Sequence, residues 1–427
     1  MVDRRITFAV LGAGSRGMQV YGHYVLNHPE KARIVAVAEP REFPRNEMAW
    51  LHNIRAENVF ERWEDLLAGP KLADAIVVAT PDRQHTQPAI RAARKGYHIL
   101  LEKPMSPVPE ECLEIVDAVK QNKVVLAVGH VLRYAPTCVK IKEIIDSGAL
   151  GDVCTVEHLE GVGWWHQAHA FVRGNWRNSA QSSPMLLSKS CHDIDILRWW
   201  VDRKCLRVSS FGQLKHFRKE CKPIEAASRC MDCVLADGKC PYSAKQIYFH
   251  TLRSGENAWL LHSVVNDRTE QALEQALREG PYGRCVYECD NDVVDHQVVN
   301  MEFEDRITVT FTMTAFTPHG RRTRIMGSAG FLECDEETIN VLNFASGKWT
   351  VYAASDLRGS ETDGHGGGDH GLMDAFIEAI AVGDTRSIRT GPEVTLESHM
   401  MVFAAERSRL ENRVVCLDEM YTGRHGG

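Results

Sequence analysis

Ile6-Thr7-Phe8-Ala9-Val10-Leu11 is followed without a break by Gly12-Ala13-Gly14-Ser15-Arg16-Gly17. This is an apolar strand running into a G-x-G-x-x-G turn, with a helix pattern continuing to about His28. In that setting Gly12 permits the tight turn, Gly14 lets the backbone approach a pyrophosphate, and Gly17 allows close helix packing. The free N–H groups at the helix amino terminus favour an anion there. A second strand, Arg33 to Ala38, ends in Glu39. That carboxylate can accept hydrogen bonds from an adenine-ribose diol and disfavours a 2′-phosphate. NAD is therefore expected ahead of NADP, with Arg41 and Arg45 nearby keeping NADP open.

The strand–helix rhythm continues outward from this start. Trp63 to Leu67 suits a short helix, and Ala75 to Ala79 reads as a strand buried on both faces. It enters the turn Thr80-Pro81-Asp82-Arg83-Gln84-His85, and a helix through Lys95 leads to His98-Ile99-Leu100-Leu101-Glu102-Lys103-Pro104. Here an apolar strand delivers a lysine to its carboxyl end, where ligands bind in an open parallel sheet. A helix over 109–122 and a strand over 124–128 complete a first domain, placed at 1–130, with 131–427 as the second.

Composition bounds the partners. Among 427 residues, 44% are hydrophobic and 25% charged, as in ordinary globular proteins. A net charge of -7 and a pI near 6.3 argue against nucleic acid or an anionic membrane as partner. No apolar run reaches the roughly 20 residues that span a bilayer. The run Ile6 to Leu11, behind Arg4 and Arg5, breaks at Gly12 without a cleavage site, so it reads as a buried strand rather than a signal peptide. Thirteen cysteines without such a signal point to a reducing, cytoplasmic setting.

Several motifs, in order, resemble the glucose–fructose oxidoreductase/inositol dehydrogenase (Gfo/Idh/MocA) family. They are the glycine run above, Ala79-Thr80-Pro81-Asp82 with His85, Glu102-Lys103-Pro104 and Gly129-His130-Val131-Leu132-Arg133-Tyr134. The likeness continues through Ser188-Lys189-Ser190-Cys191-His192-Asp193-Ile194-Asp195, Gly327-Ser328-Ala329-Gly330, Gly366-Gly367-Gly368-Asp369 and Leu372 to Ile380. It covers nearly the whole chain. It implies an α/β architecture: a Rossmann domain, then an α+β domain whose large, mostly antiparallel open sheet serves oligomerisation. It also implies NAD(P)-linked chemistry on a hydroxyl of a sugar, glycoside or polyol. The cofactor contacts implied are Gly12, Gly14, Ser15, Arg16, Gly17, Glu39, Ala79, Thr80, Pro81, His85, Glu102 and Lys103.

Alcohol oxidation needs a base for the hydroxyl proton while carbon gives up hydride. A cation near the oxygen stabilises the developing alkoxide. Lys103 suits the second role, and its counterpart by resemblance is a catalytic lysine; Pro104 after it can take a cis bond. His192 is the candidate base, since an imidazole titrates near working pH. In a continuous helix Ser188, His192 and Asp195 share a face, with Lys189 three residues before the histidine. Many family members carry a carboxylate where this chain has Ser188, so Lys189 or Asp193 is expected to reshape the site. Arg133, Tyr134 and Lys189 join His192 as expected substrate contacts.

The second domain shows its own signals. Val298 to Phe303 and Ile307 to Met313 alternate around Glu304-Asp305-Arg306, as in an antiparallel hairpin. Further strands are expected near 153–163, 205–215, 322–327, 331–335, 338–343 and 349–353. Helices are expected over 136–147, 192–201, 369–382 and 392–410. Gly359 to Gly368, with Asp363 and His365, reads as a flexible loop. An apolar face on the open sheet would call for a homo-oligomer, a dimer or tetramer. The tract Gly163-Trp164-Trp165-His166-Gln167-Ala168-His169-Ala170-Phe171-Val172-Arg173-Gly174-Asn175-Trp176-Arg177 suits a carbohydrate pocket, with His166, His169 and Arg173 as contacts. It suits a packed interface equally in composition. Cys221, Cys230, Cys233 and Cys240, within an insert at about 216–245, give C-x8-C-x2-C-x6-C. That pattern fits a structural zinc, with His216 as a substitute ligand, or a set of unligated thiols.

Three functions stay open at this level. The first is an NAD-dependent dehydrogenase of a sugar, glycoside or polyol. The second is a glycosidase that oxidises transiently, eliminates the aglycone and regenerates its cofactor. The third is a nucleotide-sensing binder without catalysis, against which the presence of both Lys103 and His192 argues.

Overall fold

The computed structural model describes residues 5–318, 320–357 and 364–421. Residues 359–363 of the glycine-rich run, Asp363 among them, lie outside the described residues. Six strands form the first sheet: β1 (Ile6–Leu11), β2 (Ala32–Ala38), β3 (Val59–Phe60), β4 (Ala75–Val78), β5 (His98–Leu101) and β6 (Leu126–Val128). Their order is β3-β2-β1-β4-β5-β6, and every pairing is parallel. Helices cover both faces, so β4 is buried at each residue and its apolar run does not alternate. The strand order reverses between β1 and β4, and there the carboxyl ends of the strands open a crevice.

The second sheet has nine strands: β7 (Val153–Gly161), β8 (Cys205–Gln213), β9 (His296–Phe303), β10 (Thr308–Thr314), β11 (Gly320–Gly327), β12 (Gly330–Cys334), β13 (Thr338–Asn343), β14 (Lys348–Ala353) and β15 (Val415–Cys416). The order is β14-β13-β12-β11-β7-β10-β9-β8-β15. The expected hairpin is β9–β10, with Thr308 opposite Glu302. Pairing is antiparallel throughout except that β10 runs parallel to β7. On the inner face Val299, Met301, Val309, Phe311 and Ile325 pack beneath the helices Cys191–Val201 and Pro392–Glu411.

Two expectations about this domain need correction. The outer face of the sheet is not broadly apolar. At its centre Thr310 Oγ1 donates to Asn300 Oδ1 at 3.1 Å, Thr308 meets Thr155 at 3.1 Å and Arg324 lies 3.6 Å from Glu157. Cross-strand polar pairs are what a solvated sheet face carries. The most exposed apolar side chains of the sheet lie toward its two ends, at Phe211 near one and at Trp349 and Val351 near the other. The cysteine insert is also larger than 216–245. Everything between β8 and β9 forms a lobe with its own helices, Ala244–Ser254 and Glu270–Glu279, around Tyr248, Leu260, Leu261, Leu273 and Leu277. Among the described residues no helix is long and apolar enough to cross a membrane.

Candidate active site at the mouth of the parallel sheet

The glycine turn has the geometry of a dinucleotide cradle. Gly12 has φ +92°, and a Cβ there would come within 2.5 Å of the Ala79 carbonyl oxygen. A Cβ on Gly17 would sit 2.0 Å from the Gly12 carbonyl oxygen, so β1 and the following helix can meet only through glycine. Above Gly14 the space is open except for the Arg41 guanidinium, 3.7 Å from where a Cβ would stand. The helix Ser15–Gly22 begins there without a side-chain cap, leaving its first N–H groups for a phosphate. Glu39 is buried at the end of β2 and accepts from Ala13 N–H at 2.9 Å and from Arg41 Nε at 2.8 Å. Burial alone would raise its pKa, but those hydrogen bonds hold it below the ordinary carboxylate value. The residues present thus fit a dinucleotide: a backbone cradle for the pyrophosphate and an ionised acid for the ribose.

Of the other expected cofactor residues, Ala79 and Thr80 follow β4 against the glycine turn, and Pro81 leads into the next turn. His85 braces this corner rather than facing outward. Its ring nitrogens lie 2.7 Å from the carbonyl oxygens of Pro104 and Thr80, joining the turn after β4 to the turn after β5. Asp82, last residue of the Ala79-Thr80-Pro81-Asp82 motif, accepts from Ser182, Ser183 and the Trp176 indole and so clamps the two domains together.

Lys103 and His192 come together across the domain boundary. The Lys103–Pro104 bond is cis, and Lys103 Nζ donates to the Ser188 carbonyl at 2.5 Å. Glu102 is buried and accepts from Arg16 Nε, the Tyr21 hydroxyl and Lys103 N–H. Burial would raise Glu102, yet the charge of Arg16 and the Tyr21 hydrogen bond keep it low. His192 is 5% exposed. Burial, then the nearby Lys103, His365 and His130, push its pKa well below the usual histidine value, so it is neutral at pH 7. Its ring centroid lies 5.6 Å from that of His130 and 5.6 Å from that of His365. His365 Nδ1 is 2.9 Å from Asp369 Oδ2, and Asp369 Oδ1 accepts from Arg16 Nη2 at 2.6 Å.

The expected continuous helix through Ser188 is broken. Met185–Ser188 ends at Lys189 and a new helix starts at Cys191, so Ser188 and His192 do not share a helix face. At this break the Lys189 side chain pairs with Glu160 at 3.0 Å within a buried network. In that network Arg321 bridges Glu160 at 2.9 Å and Asp193 at 2.6 Å. Lys189 is thereby neutralised by the protein and does not face the site as a free cation.

Four other expected substrate contacts are committed elsewhere. Arg133 is buried in a bidentate pair with Asp195, at 2.7 and 2.8 Å. The Tyr134 hydroxyl lies 3.2 Å from Thr390 Oγ1 and accepts from Arg389 N–H at 2.8 Å. His169 Nδ1 meets the Tyr248 hydroxyl at 2.8 Å and its ring stacks on Tyr282. Burial and the charge of Arg173 push His169 down to about 3. Arg173 is 1% exposed and donates to the carbonyls of Arg284 and Tyr242. These groups build the lobe and the domain core. His166 is partly exposed among Trp165, Trp259 and Phe171.

The cysteines do not assemble as the zinc reading required. Among the described residues no group of three or more His, Cys, Asp or Glu is placed to hold a metal ion. Cys230 is instead a hydrogen-bond acceptor for Arg173 Nη2 at 3.5 Å and Ala244 N–H at 3.4 Å. Cys221 points to the Lys215 carbonyl, and His216 Nε2 lies 3.1 Å from the Tyr287 hydroxyl. Cys233 and Cys240 line a cavity of about 80 Å³ with Cys230. The four sulfurs are packing and hydrogen-bonding groups of the lobe.

Comparison with known proteins agrees with this geometry. A family model described as an oxidoreductase family with an NAD-binding Rossmann fold matches residues 6–130. Its companion, the C-terminal alpha/beta domain of the same family, matches 142–417. The putative oxidoreductase YteT of Bacillus subtilis is 24% identical over 324 residues, 71% of this chain and 72% of its own length. The 2,7-anhydro-N-acetylneuraminate hydratase of Escherichia coli is 27% identical over 193 residues, 45% of this chain and only about half (49%) of that protein. A scyllo-inositol dehydrogenase from Lactobacillus casei, solved with NAD(H) and scyllo-inositol, superposes with a TM-score of 0.65. That likeness covers 97% of this chain and all of that one at 16% identity, which speaks to the fold alone.

Proposed function

The chain belongs to the Gfo/Idh/MocA oxidoreductase family, and from that premise we propose that it oxidises a hydroxyl of a sugar, glycoside or polyol, with NAD as hydride acceptor. One observation carries the reading: a desolvated, neutral histidine, His192, stands beside the cation Lys103 at the carboxyl end of β5, next to the glycine cradle. NAD, when bound, supplies the hydride acceptor. The pyrophosphate would lie over Gly14 and the ribose diol against Glu39. His192 accepts the hydroxyl proton, since its neutral ring has a free lone pair at pH 7. Lys103, half-buried, stabilises the oxygen as negative charge develops, and the partial exclusion of water strengthens that interaction. Glu102, Tyr21 and Arg16 fix the backbone from which Lys103 projects.

NAD in preference to NADP is supported by the ionised, buried Glu39, which would meet a 2′-phosphate with like charge. A cytoplasmic setting is supported by thirteen cysteines of which none is paired. We also propose a homo-oligomer, on the exposed apolar ends of the nine-stranded sheet. The E. coli hydratase among the relatives, together with a second histidine near His192, favours a second reading, transient oxidation followed by elimination. A screen of aldoses, inositols and aryl glycosides separates the two. Steady NADH formation marks the dehydrogenase, and aglycone release without net NADH marks the elimination.

A further inference from the structure

We propose that His130 is a positioning residue for His192: it holds the Nδ1 side of that ring through internal water, so that Nε2 is the nitrogen offered to the substrate hydroxyl. The inference deepens the hydride-transfer reading above and rests on it. His130 lies just past the carboxyl end of β6, the strand paired with β5, and its side chain is fully buried. Its ring centroid stands 5.6 Å from that of His192, with the two planes nearly perpendicular at 87°. On its other neighbour, His399, the centroid distance is 5.3 Å. Three imidazoles are thus packed together, each within the field of Lys103.

The three differ in what satisfies them. His399 is closed by backbone. Its Nε2 accepts from Met105 N–H at 3.0 Å, so Nδ1 carries the ring proton and donates to the Thr395 carbonyl at 2.9 Å. His192 and His130 are open. Nδ1 of His192 and both nitrogens of His130 are buried, and no described residue hydrogen-bonds to any of them. The same holds for the hydroxyl of Ser190, wholly buried two residues before His192 at the start of its helix. A polar group left dry and unpaired in a core costs about as much as a lost hydrogen bond, and native interiors meet that need with a partner or a bound water. These four atoms are what one or two internal waters satisfy, at about three hydrogen bonds each.

The arrangement sets the tautomer. A neutral imidazole has one N–H and one lone pair. Nδ1 of His192, turned to acceptors in the interior, keeps the proton, and the lone pair is left on Nε2. The hydroxyl proton of the substrate passes to that lone pair as hydride leaves the carbinol carbon for the nicotinamide. The imidazolium so formed donates from Nδ1 to the water, which in turn donates to His130. His130 is able to accept because it is neutral. Burial pushes its pKa below the usual histidine value against the pull of Asp195 and Glu102, and the charges of Arg133 and Lys103 add to the effect. Asp195 is itself committed to Arg133.

The test is nitrogen-15 NMR of the NAD-bound enzyme carrying labelled histidine, with His192 assigned by its loss in His192→Asn. Wild type shows His192 as the Nδ1–H tautomer. His130→Phe keeps a ring but no nitrogen, and there the Nε2–H form appears. His130→Asn keeps a donor and an acceptor and restores the Nδ1–H form. In single-turnover reduction of NAD by a sugar or polyol substrate, His130→Phe slows hydride transfer about tenfold with substrate and NAD affinity unchanged, and His130→Asn recovers most of the rate. An Nε2–H tautomer in wild type, or a tautomer indifferent to His130→Phe, would overturn the inference. Should His130→Phe fail to fold, His130→Leu takes its place as the nitrogen-free variant. The spectrum needs no turnover, so absence of NADH formation on every sugar and polyol counts against the hydride-transfer reading, while the tautomer decides the role of His130.

Discussion

At the residue scale the proposed site contrasts groups proposed to react with groups committed to internal partners. Lys103 and His192 could be singled out as candidates because each lies in a short, local motif at an element end. Arg133, His169 and Arg173 were misread for a physical reason. The long donors that suit a sugar's hydroxyls are the same ones that satisfy buried carboxylates and carbonyls, and only the tertiary partner separates the two uses. Arg133 gives a direct check. Arg133→Ala strands the Asp195 carboxylate in the core, so the fold should lose about 3–5 kcal/mol, read by chemical denaturation. A loss under 1 kcal/mol, with substrate affinity reduced instead, would restore Arg133 to the substrate site. Glu39→Ala removes charged hydrogen bonds of about 1.5–3 kcal/mol. NAD affinity should therefore fall roughly tenfold or more and the preference over NADP should vanish in a calorimetric titration. An unchanged preference would place cofactor choice elsewhere.

At the element scale most of the fold was legible because period and burial agree. The strands of the parallel sheet are continuous apolar runs, and β9 and β10 alternate as half-solvated strands do. Two features escaped. The lobe helices Ala244–Ser254 and Glu270–Glu279 lie in a polar, cysteine-bearing stretch that reads as loop. Their signal was the caps: Ser243 accepts from Gln246 N–H and Thr269 from Ala272 N–H, with Leu273 and Leu277 one turn apart. The break at Lys189 had no local signal, and the Glu160 that pairs with Lys189 there belongs to β7, far away in sequence. Burial of histidines in these elements also has a measurable consequence. His169 and His399 are pushed to about 3, His169 by burial and Arg173, His399 by burial and His130. The unfolded chain binds these protons near pH 6.5 and the folded chain does not. Stability is therefore fully present above about pH 6.5 and declines below it, by up to about 1.4 kcal/mol per pH unit for each histidine. Melting temperature should be flat from pH 8 to 7 and fall steadily from 6.5 to 5. A flat profile to pH 5 would mean that these rings reach water.

At the scale of the whole molecule, two sheets meet at one crevice, and long-range contacts complete it. Arg16 of the glycine turn reaches Glu102 and then Asp369, near the other end of the chain. Such contacts carry no sequence signature: nothing local says that Arg16 reaches Asp369, although Asp369 itself stands in a motif and His365 in the loop before it. The nine-stranded sheet is polar at its centre and apolar at Phe211 and Trp349, so assembly should depend on those ends. Light scattering at micromolar concentration should give a multiple of the 48.0 kDa chain mass, with Trp349→Glu reducing it. A mass of one chain for wild type would rule the oligomer out. The central claim concerns the crevice itself, and single-turnover reduction of bound NAD by the best substrate of the sugar and polyol screen tests it most directly. Lys103→Met should bind NAD as wild type does, since the glycine turn and Glu39 are untouched, while hydride transfer slows about a hundredfold or more. Near-normal hydride transfer in Lys103→Met would contradict the account.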